Sequence, residues 1–479
     1  MNVGFFGIQY SFGLQQSAVN PIYDFLGAKP DEIPWLNLAG PLTGLFIQPI
    51  IGALSDKTWS PRFGRRKPYF FIGAILCSIA LFLFPFSSGL WMAAGLLWIL
   101  DAGNNTAMEP YRAFIADKLD ATQQATGFQA QSFFTGFGQT LSNLSLFIFP
   151  MIIVGYTGQL PNWVFASFMI GAVCSIASVW WSMRTTPEIP PTEEEQLLIK
   201  QKNKGMPPLV IQFFLSVITT LVSYIVIVLL LVPEIFFRGT IRKVMNTVER
   251  NAFAKSLFAQ NIEIIEAITA MPKIMWQLAL VYLFQWYALF CYWQNSSKSI
   301  ALSVYHTTAA NKPLYEKAVG MAGLVNFWYN IITFLVAFAL VGFAKKYGAK
   351  WVHFVCISLA GIGFIAFPFI SSTPLLFVAI SGFGVGWASM MGIPYLMVVQ
   401  QIPKERYGVY MGVINMMIVI PMLIQTLTFG YILKHFLNDN PGNAILFAGV
   451  FLLLAAACTL LIKTVKISGD ATMPAGGGH

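Results

Sequence analysis

The chain has 479 residues, of which 56% are hydrophobic and only 10% are charged. Soluble globular domains carry about a quarter charged residues, so this charge content is too small to cover the water-facing surface of a soluble protein. The composition excludes that class and predicts that lipid surrounds most of the chain. A formal net charge of +9 is typical of nucleic-acid partners, but the placement of the basic residues gives it another explanation.

Twelve apolar stretches are long enough to cross a bilayer, whose hydrocarbon core of about 30 Å takes about 20 residues of helix. They predict an all-α membrane protein with twelve transmembrane helices arranged in two six-helix halves. The predicted spans are 3–26, 34–54, 69–86, 90–117, 125–153, 162–182, 272–293, 319–343, 350–370, 374–400, 407–433 and 443–462.

The basic residues are concentrated in alternate loops, as the positive-inside rule describes for cytoplasmic segments. This pattern predicts that both termini are cytoplasmic, and the short loops favour a bacterial inner (plasma) membrane. No nucleic acid is needed to explain the net charge. In this orientation the lysines assigned to outside loops are Lys29, Lys298, Lys312, Lys317 and Lys434.

The span pattern divides the chain into an N-terminal half, a cytoplasmic linker, a C-terminal half and a tail. Within the linker, residues 209–236 are apolar enough to cross, but both flanks are basic. A crossing would place one basic flank outside, so we expect this segment to associate with the membrane or the bundle without spanning it. The predicted segments are 1–183, 184–271, 272–465 and 466–479.

The fourth predicted helix carries ionisable residues inside an apolar span, where such groups are costly and usually functional. Asp101 and Arg112 lie about 16 Å apart along a helix, whereas Glu109 and Arg112, three residues apart, can pair. We therefore predict that Asp101 carries the coupling proton, and that Glu109 and Arg112 form a cytoplasmic-side structural or gating pair. The alternative is an Asp101 held permanently by hydrogen bonds from a neighbouring helix.

The loop between the second and third helices has an acid at a helix end, followed by a glycine and a basic cluster. Asp56, Gly64, Arg65 and Arg66 are the residues that define it. A cation near an acid and near helix C-terminal carbonyls can form a bridge that differs between conformations. We predict a cytoplasmic gate here; the alternative is charge that only sets the topology.

Three motifs make the chain similar to a known family: RFGRRKP at 62–68, LDAGNNTAMEPYRAFIAD at 100–117 and QSFFTGFGQ at 131–139. They resemble the plant sucrose–proton symporters and their bacterial-type relatives, in the glycoside–cation symporter group of the major facilitator superfamily. The resemblance implies a major facilitator fold and transport of sugar together with protons. It also implies the proton-site role for Asp101 and the role of its arginine partner for Arg112. Residues 291–301 depart from the plant pattern because they contain no acid.

A sugar site needs hydrogen-bonding groups for hydroxyls and aromatic faces for C–H surfaces. Amides and tryptophans at membrane depth supply both, although each amide has interhelical bonding as an equally good explanation. The candidate sugar-binding residues are Gln16, Asn20, Asn104, Asn105, Gln131, Gln139, Gln285, Trp286, Asn326, Asn330 and Trp387.

The sequence shows no cofactor motif, metal-ligand cluster or catalytic triad, so we predict neither cofactor nor metal and no enzymatic activity. The predicted function is a proton-coupled sugar symporter, for a disaccharide such as sucrose or maltose, working by alternating access. The predicted partners are the sugar, protons and the lipid bilayer, and the predicted oligomeric state is a monomer. Sodium coupling or uncoupled glycoside transport is the alternative, and a membrane enzyme or receptor is a third class.

Overall fold

A computed structural model shows a bundle of long α-helices and describes residues 1–56, 58–119, 121–203, 208, 211–222, 246, 250, 268, 270–399 and 407–462. Within those ranges the long helices are labelled α1 to α12 in chain order. They are α1 (Val3–Phe25), α2 (Ala39–Asp56), α3 (Lys67–Leu83), α4 (Leu90–Lys118), α5 (Ala121–Ile152), α6 (Asn162–Thr185), α7 (Lys273–Ser303), α8 (Lys312–Tyr347), α9 (Ala349–Ala366), α10 (Thr373–Val399), α11 (Tyr407–Phe436) and α12 (Pro441–Thr459).

Shorter elements connect the long helices. A one-turn helix lies between α1 and α2, and a small hairpin, β1 (Tyr156–Thr157) with β2 (Leu160–Pro161), precedes α6. Both α3 and α9 end in a 3₁₀ turn with the sequence Phe-Pro-Phe, because proline cannot donate the next α-helical hydrogen bond. The one-turn helix is Ile33–Leu36, and the 3₁₀ turns are Phe84–Phe86 and Phe367–Phe369. Two further short helices, Glu193–Asn203 and Ile211–Val222, lie in the linker.

The packing of the first six long helices is repeated by the second six. Helix α4 packs against α2 and α3, and α10 packs against α8 and α9 in the same way. Likewise α1 packs against α5 and α6, and α7 against α11 and α12. The two halves meet mainly where α5 packs on α8 and α2 packs on α11. Residues on α1, α2 and α5 are therefore the ones placed closest to the other half.

Eight helical segments in the described part of the chain are long and apolar enough to cross a membrane. They include every long helix from α7 to α12, but only α3 and α6 in the first half. Helices α1, α2, α4 and α5 correspond to predicted spans but contain no segment of this length and hydropathy within the described residues, so the count of twelve spans stays a prediction.

Two helices differ from their predicted bounds by more than a few residues. Helix α7 continues to Ser303, beyond the predicted end at 293, and α8 begins at Lys312, before the predicted start at 319. The polar residues at this end of α7 made the sequence look like a loop. The structure places Lys298 inside α7, where it is mostly buried and pairs with Asp24. Its assignment to an outside loop was wrong, because a lysine with a protein partner does not need solvent.

Only part of the linker, and none of the tail 466–479, can be compared with the sequence predictions. Residues 211–222 of the apolar segment 209–236 form a helix, and the rest of that segment lies outside the described residues. The tail 466–479 also lies outside them. The segment boundaries and the non-crossing path of 209–236 stay predictions.

Candidate functional site

Asp101 lies in the interior of the bundle with 2% of its surface exposed. Its Oδ1 accepts a hydrogen bond of 2.5 Å from Gln15 Nε2 on α1, and its Oδ2 accepts one from Thr43 Oγ1 on α2. Both carboxylate oxygens therefore have donors from neighbouring helices of the same half. A buried charge or polar group of this kind needs such partners, because it has lost its hydration.

The hydrogen bonds around Asp101 extend along α2 to the other half. Asn105 Nδ2 donates to Thr43 Oγ1 at 2.9 Å, and Asn105 Oδ1 accepts from Gln48 Nε2 at 2.6 Å. Gln48 Oε1 in turn accepts from Asn415 Nδ2 of α11 at 3.0 Å. A change at the carboxyl group can therefore reach α11 through three side chains.

Gln15 joins the second predicted amide of α4 to the same network. Its Oε1 accepts from Asn104 Nδ2 at 3.1 Å, and Asn104 Oδ1 accepts from the Cys77 thiol at 3.1 Å. The sequence analysis named Gln16, which is half-buried and has no hydrogen bond to Asp101 in the described structure. Gln15 was missed because adjacent glutamines on one helix point about 100° apart, and composition alone does not select between them.

A second polar chain crosses between the halves through α5 and α8. Ser17 Oγ donates to Asn143 Oδ1 at 2.6 Å and accepts from Asn326 Nδ2 at 3.1 Å. Asn326 Oδ1 accepts from the Tyr292 hydroxyl at 2.9 Å. Asn326 therefore lies at the interface, whereas Asn330 donates to the backbone carbonyl of Asn326 on its own helix.

The second half contributes a cluster of tryptophans on α7 and α10. The Trp387 ring lies edge-on to Trp286, with centroids 5.7 Å apart, and edge-on to Trp293, at 5.8 Å. Phe290 extends the cluster toward the first half, with its centroid 6.1 Å from that of Trp293. All three indoles are more than nine-tenths buried.

Gly40 of α2 is where the aromatic cluster and the carboxylate come together. The Phe290 ring edge and Asp101 Oδ2 would lie 3.7 Å and 3.8 Å from a Cβ atom at this position. The ring and the carboxylate, which belong to opposite halves, therefore both lie close to the point that a side chain on residue 40 would occupy. The structure thus brings the N-terminal polar network next to the C-terminal aromatic cluster.

Other predicted sugar-binding residues are buried, but the described structure shows no hydrogen bond between them and Asp101. Gln139 donates to Gln9 Oε1 at 2.9 Å within the first half, and Asn20 donates to the Trp293 carbonyl at 3.4 Å across the halves. Gln285 is fully buried, and both its amide atoms lack a hydrogen-bond partner within the described residues. The amide nitrogen of Gln131 is likewise without a partner there.

Glu109 and Arg112 form the ion pair that their spacing allows. Arg112 Nη1 lies 2.7 Å from Glu109 Oε1, and both side chains are partly exposed. Glu109 is eight residues from Asp101, or about 12 Å along the helix. The pair therefore lies about two helical turns from Asp101, and its structural or gating role stays a prediction.

The loop between α2 and α3 is held by two acids that the sequence analysis did not name. Arg66 Nε pairs with Asp117 Oδ2 of α4 at 2.9 Å, and Glu188 accepts from the backbone N–H of Arg65 at 2.6 Å and of Lys67 at 2.8 Å. Gly64 has φ +80°, and a side chain there would collide with Glu188. These described contacts lie within the first half and the start of the linker. The side chain of Asp56 lies outside the described residues.

In the part of the chain that the structure describes, no group of three or more His, Cys, Asp or Glu could hold a metal ion. The groups that meet at the interface can form hydrogen bonds and aromatic contacts, which are interactions that can hold a polar, neutral solute.

Comparison with curated proteins finds relatives among plant transporters. The chain is 32% identical to the Sucrose transport protein SUC3 of Arabidopsis thaliana over 25% of this chain and 24% of that protein. It is 22% identical to the Sucrose transport protein SUT5 of Oryza sativa subsp. indica over 99% of this chain and 88% of that protein. The stronger identity thus spans only about a quarter of the relative, and the full-length likeness is weaker.

Comparison with solved structures finds the same architecture in bacterial transporters. The inward-open structure of the xylose transporter XylE from E. coli aligns with a TM-score of 0.59 and 15% identity, over 98% of this chain and 96% of that one. A structure of the nucleoside transporter NupG aligns with a TM-score of 0.64 and 13% identity, over 96% of this chain and 98% of that one. These likenesses show the fold, and they confirm the predicted fold class.

The model of one family, described as Major Facilitator Superfamily, matches residues 1–424. This match confirms the resemblance found in the motifs, and it indicates an integral membrane transporter rather than an enzyme. The chain belongs to the Major Facilitator Superfamily.

Proposed function

We propose that this protein is a proton-coupled sugar symporter that transports a disaccharide such as sucrose or maltose by alternating access. The observation that carries the proposal is the position of Asp101. Its carboxylate accepts hydrogen bonds from Gln15 and Thr43 and, like the Phe290 ring of the other half, lies within van der Waals contact of a Cβ atom placed at Gly40. The names of its plant relatives, which are sucrose transport proteins, support a sugar as the solute.

The two sides of the site supply the two kinds of contact that a sugar needs. The amides of Asn104 and Gln15 bond to each other, as do those of Gln48 and Asn105, and sugar hydroxyls can replace such bonds. The rings of the tryptophan cluster offer apolar faces to the C–H surfaces of a pyranose. A sugar between the halves would contact both sides at once, and its binding would favour their closure around it.

Proton binding at Asp101 would rearrange Gln15, one of its two hydrogen-bond donors. An added proton on Oδ1 makes that oxygen a donor, so the Gln15 amide has to turn and present its oxygen. That turn removes the Gln15 oxygen from Asn104 Nδ2. Asn104 then has a free donor for a sugar hydroxyl. In this scheme proton and sugar bind cooperatively because the same glutamine serves both.

The charged residues nearer the loops are proposed to act in the conformational change. Glu109 with Arg112, and Arg66 with Asp117, lie toward the end of the bundle formed by the α2–α3 loop. We take this end as cytoplasmic, with both termini inside, because the basic residues are concentrated there. Arg65 and Arg66 would then shape the cytoplasmic gate, with Asp117 and Glu188 as their described acidic partners.

Uptake of labelled sucrose and maltose into proteoliposomes tests the proposal. An inward proton gradient should drive accumulation above the external concentration, and an ionophore that collapses the gradient should abolish it. Uptake that follows a sodium gradient at fixed pH would instead establish sodium coupling. Equilibration without accumulation under every gradient would establish a facilitator.

A further inference from the structure

A second buried carboxylate, Asp24, lies at the end of α1 that is opposite the α2–α3 loop. Its Oδ1 is 3.5 Å from the Lys298 ammonium nitrogen of α7, and its Oδ2 accepts a hydrogen bond from the Tyr315 hydroxyl of α8. Asp24 belongs to the first half, and both partners belong to the second. A single carboxylate therefore connects three helices across the interface.

We propose that Asp24, Lys298 and Tyr315 form an outer gate, which closes the non-cytoplasmic end of the transport path and has to break when that end opens. The proposal rests on alternating access as set out above. It adds the structural element that holds one end shut. None of these three residues belongs to the network around Asp101.

Burial makes this cluster different from an ordinary surface ion pair. The Asp24 side chain is 5% exposed, that of Lys298 is 11% exposed, and Tyr315 is fully buried. Water does not compete for the charges while the end is closed, so separating them in place would leave two unpaired charges in a dry interior. The cluster can open only together with the entry of water, which hydrates both charges. It therefore favours a fully closed or a fully open end over intermediate positions.

The geometry ties the cluster to the motion that opens this end. Moving α1 away from α7 and α8 takes Asp24 away from both the Lys298 ammonium group and the Tyr315 hydroxyl in one step. The Phe25 ring, next in sequence, packs edge-on against Tyr315 with centroids 5.4 Å apart, and it would lose that contact in the same motion. A nearby cross-half pair, Lys434 with Asp31, is 3.0 Å long but lies at the surface with Lys434 53% exposed. That pair is a matched control for charge without burial.

Accessibility of Ser17 to reagents added outside the cell tests the gate without any sugar. Ser17 lies on α1 seven residues before Asp24, two turns or about 10 Å deeper on the same face. The probe is a membrane-impermeant maleimide applied to intact cells that express the Ser17→Cys variant. Labelling is measured against the same protein without that substitution, which accounts for the five native cysteines.

With an intact gate, Ser17→Cys should be labelled slowly. Asp24→Asn or Lys298→Gln should increase the rate about fivefold or more, and Lys434→Gln should not change it. The exchanged pair Asp24→Lys with Lys298→Asp should restore slow labelling, since the tyrosine hydroxyl can accept from lysine as well as donate to aspartate.

Several results would overturn the outer gate. One is a labelling rate that stays unchanged in the Asp24→Asn and Lys298→Gln variants, when their melting curves show that both variants are folded. Another is fast labelling that persists in the exchanged pair. If the charge variants do not fold, Tyr315→Phe decides, because it removes one donor and keeps the ring: a rate equal to that of the parent contradicts the proposal. Because the labelling experiment uses no sugar, failure of sugar uptake would contradict the proposed function without deciding whether the outer gate exists.

Discussion

Helices α4 and α10 have corresponding places in the two halves but different chemistry. Each contains a Pro-Tyr pair, at Pro110 in α4 and at Pro394 in α10, and each packs on two helices related in the same way. Nine residues before the proline, α4 has Asp101 and α10 has Val385. Duplicated packing therefore does not require duplicated function. The first half has a carboxyl group at this position, and the second half has an apolar side chain.

The same contrast holds for the halves as a whole. All six long helices of the second half contain a segment apolar enough to span a membrane, whereas α1, α2, α4 and α5 of the first half do not in the described residues. Those four helices supply the buried hydrogen-bond network around Asp101 and Gln139. In the proposed mechanism the first half binds the proton, and the tryptophan cluster of the second half offers aromatic faces to the sugar.

The largest effect is expected when α4 loses the carboxyl group that α10 lacks. Asp101→Asn keeps the size and hydrogen bonding of the side chain but cannot take up a proton. Sugar should still exchange across the membrane, but it should no longer accumulate above its external concentration. Labelled-sugar uptake and counterflow in the same proteoliposomes measure the two activities separately. Accumulation by this variant would place the proton site elsewhere and remove the functional contrast between the halves.

A second test fills the position where the two halves face each other. Gly40→Leu puts a side chain between Asp101 and Phe290, so sugar binding and transport should fall to background. Gly40→Ala is the matched control, because its Cβ would stay 3.7 Å from the ring edge and 3.8 Å from the carboxylate, in ordinary contact. The alanine variant should keep most of its transport and its melting temperature. Equal transport by both variants would show that the sugar does not pass this point.

A smaller effect is expected from the aromatic side of the contrast. Trp387→Ala removes a face on which a sugar can pack and also removes contacts to two other indoles. The loss should be on the order of 1 kcal/mol of binding, or roughly a fivefold higher Kd, with coupling intact. Titration of purified protein by thermal shift with sucrose and maltose measures it, because a ligand of the folded state raises Tm. Trp387→Phe should lie between, and an unchanged Kd in the alanine variant would contradict the assignment.

The sequence predicted the positions of the helices and an acid, Asp101, in the interior of the bundle, because apolar length and a charge inside a span are local signals. It did not predict which residues touch Asp101. Gln15 and Thr43 come from other helices, and their contact depends on packing that a single sequence does not reveal. The error at Lys298 has the same cause, since a charged residue near a span end looks solvated until its partner, Asp24, is known. Asp117 closes the motif at 100–117, but its pairing with Arg66 of another helix depends on packing, and Glu188 lies in the linker with no pattern that distinguishes it.

The smallest effect is expected at the exposed pair of Asp31 and Lys434, which also joins the halves. The hydrogen bond from Lys434 lowers the pKa of Asp31 below its usual value. A lowered pKa contributes stability above the unfolded value of about 4, and that contribution is lost as pH falls through the folded pKa. Lys434→Gln should therefore lower Tm slightly at pH 7, less in high salt, and not at all once Asp31 is protonated in both proteins.

Melting curves of the parent and of Lys434→Gln, taken from pH 7 down to the acid limit of the folded protein, measure this difference. Because Lys434 is 53% exposed, water and salt replace its partner readily, and transport should be unchanged. A large loss of stability that persists at low pH would mean that the lysine acts through packing rather than charge. A loss of transport would mean that surface contacts, and not only the buried ones, hold the two halves together at this end.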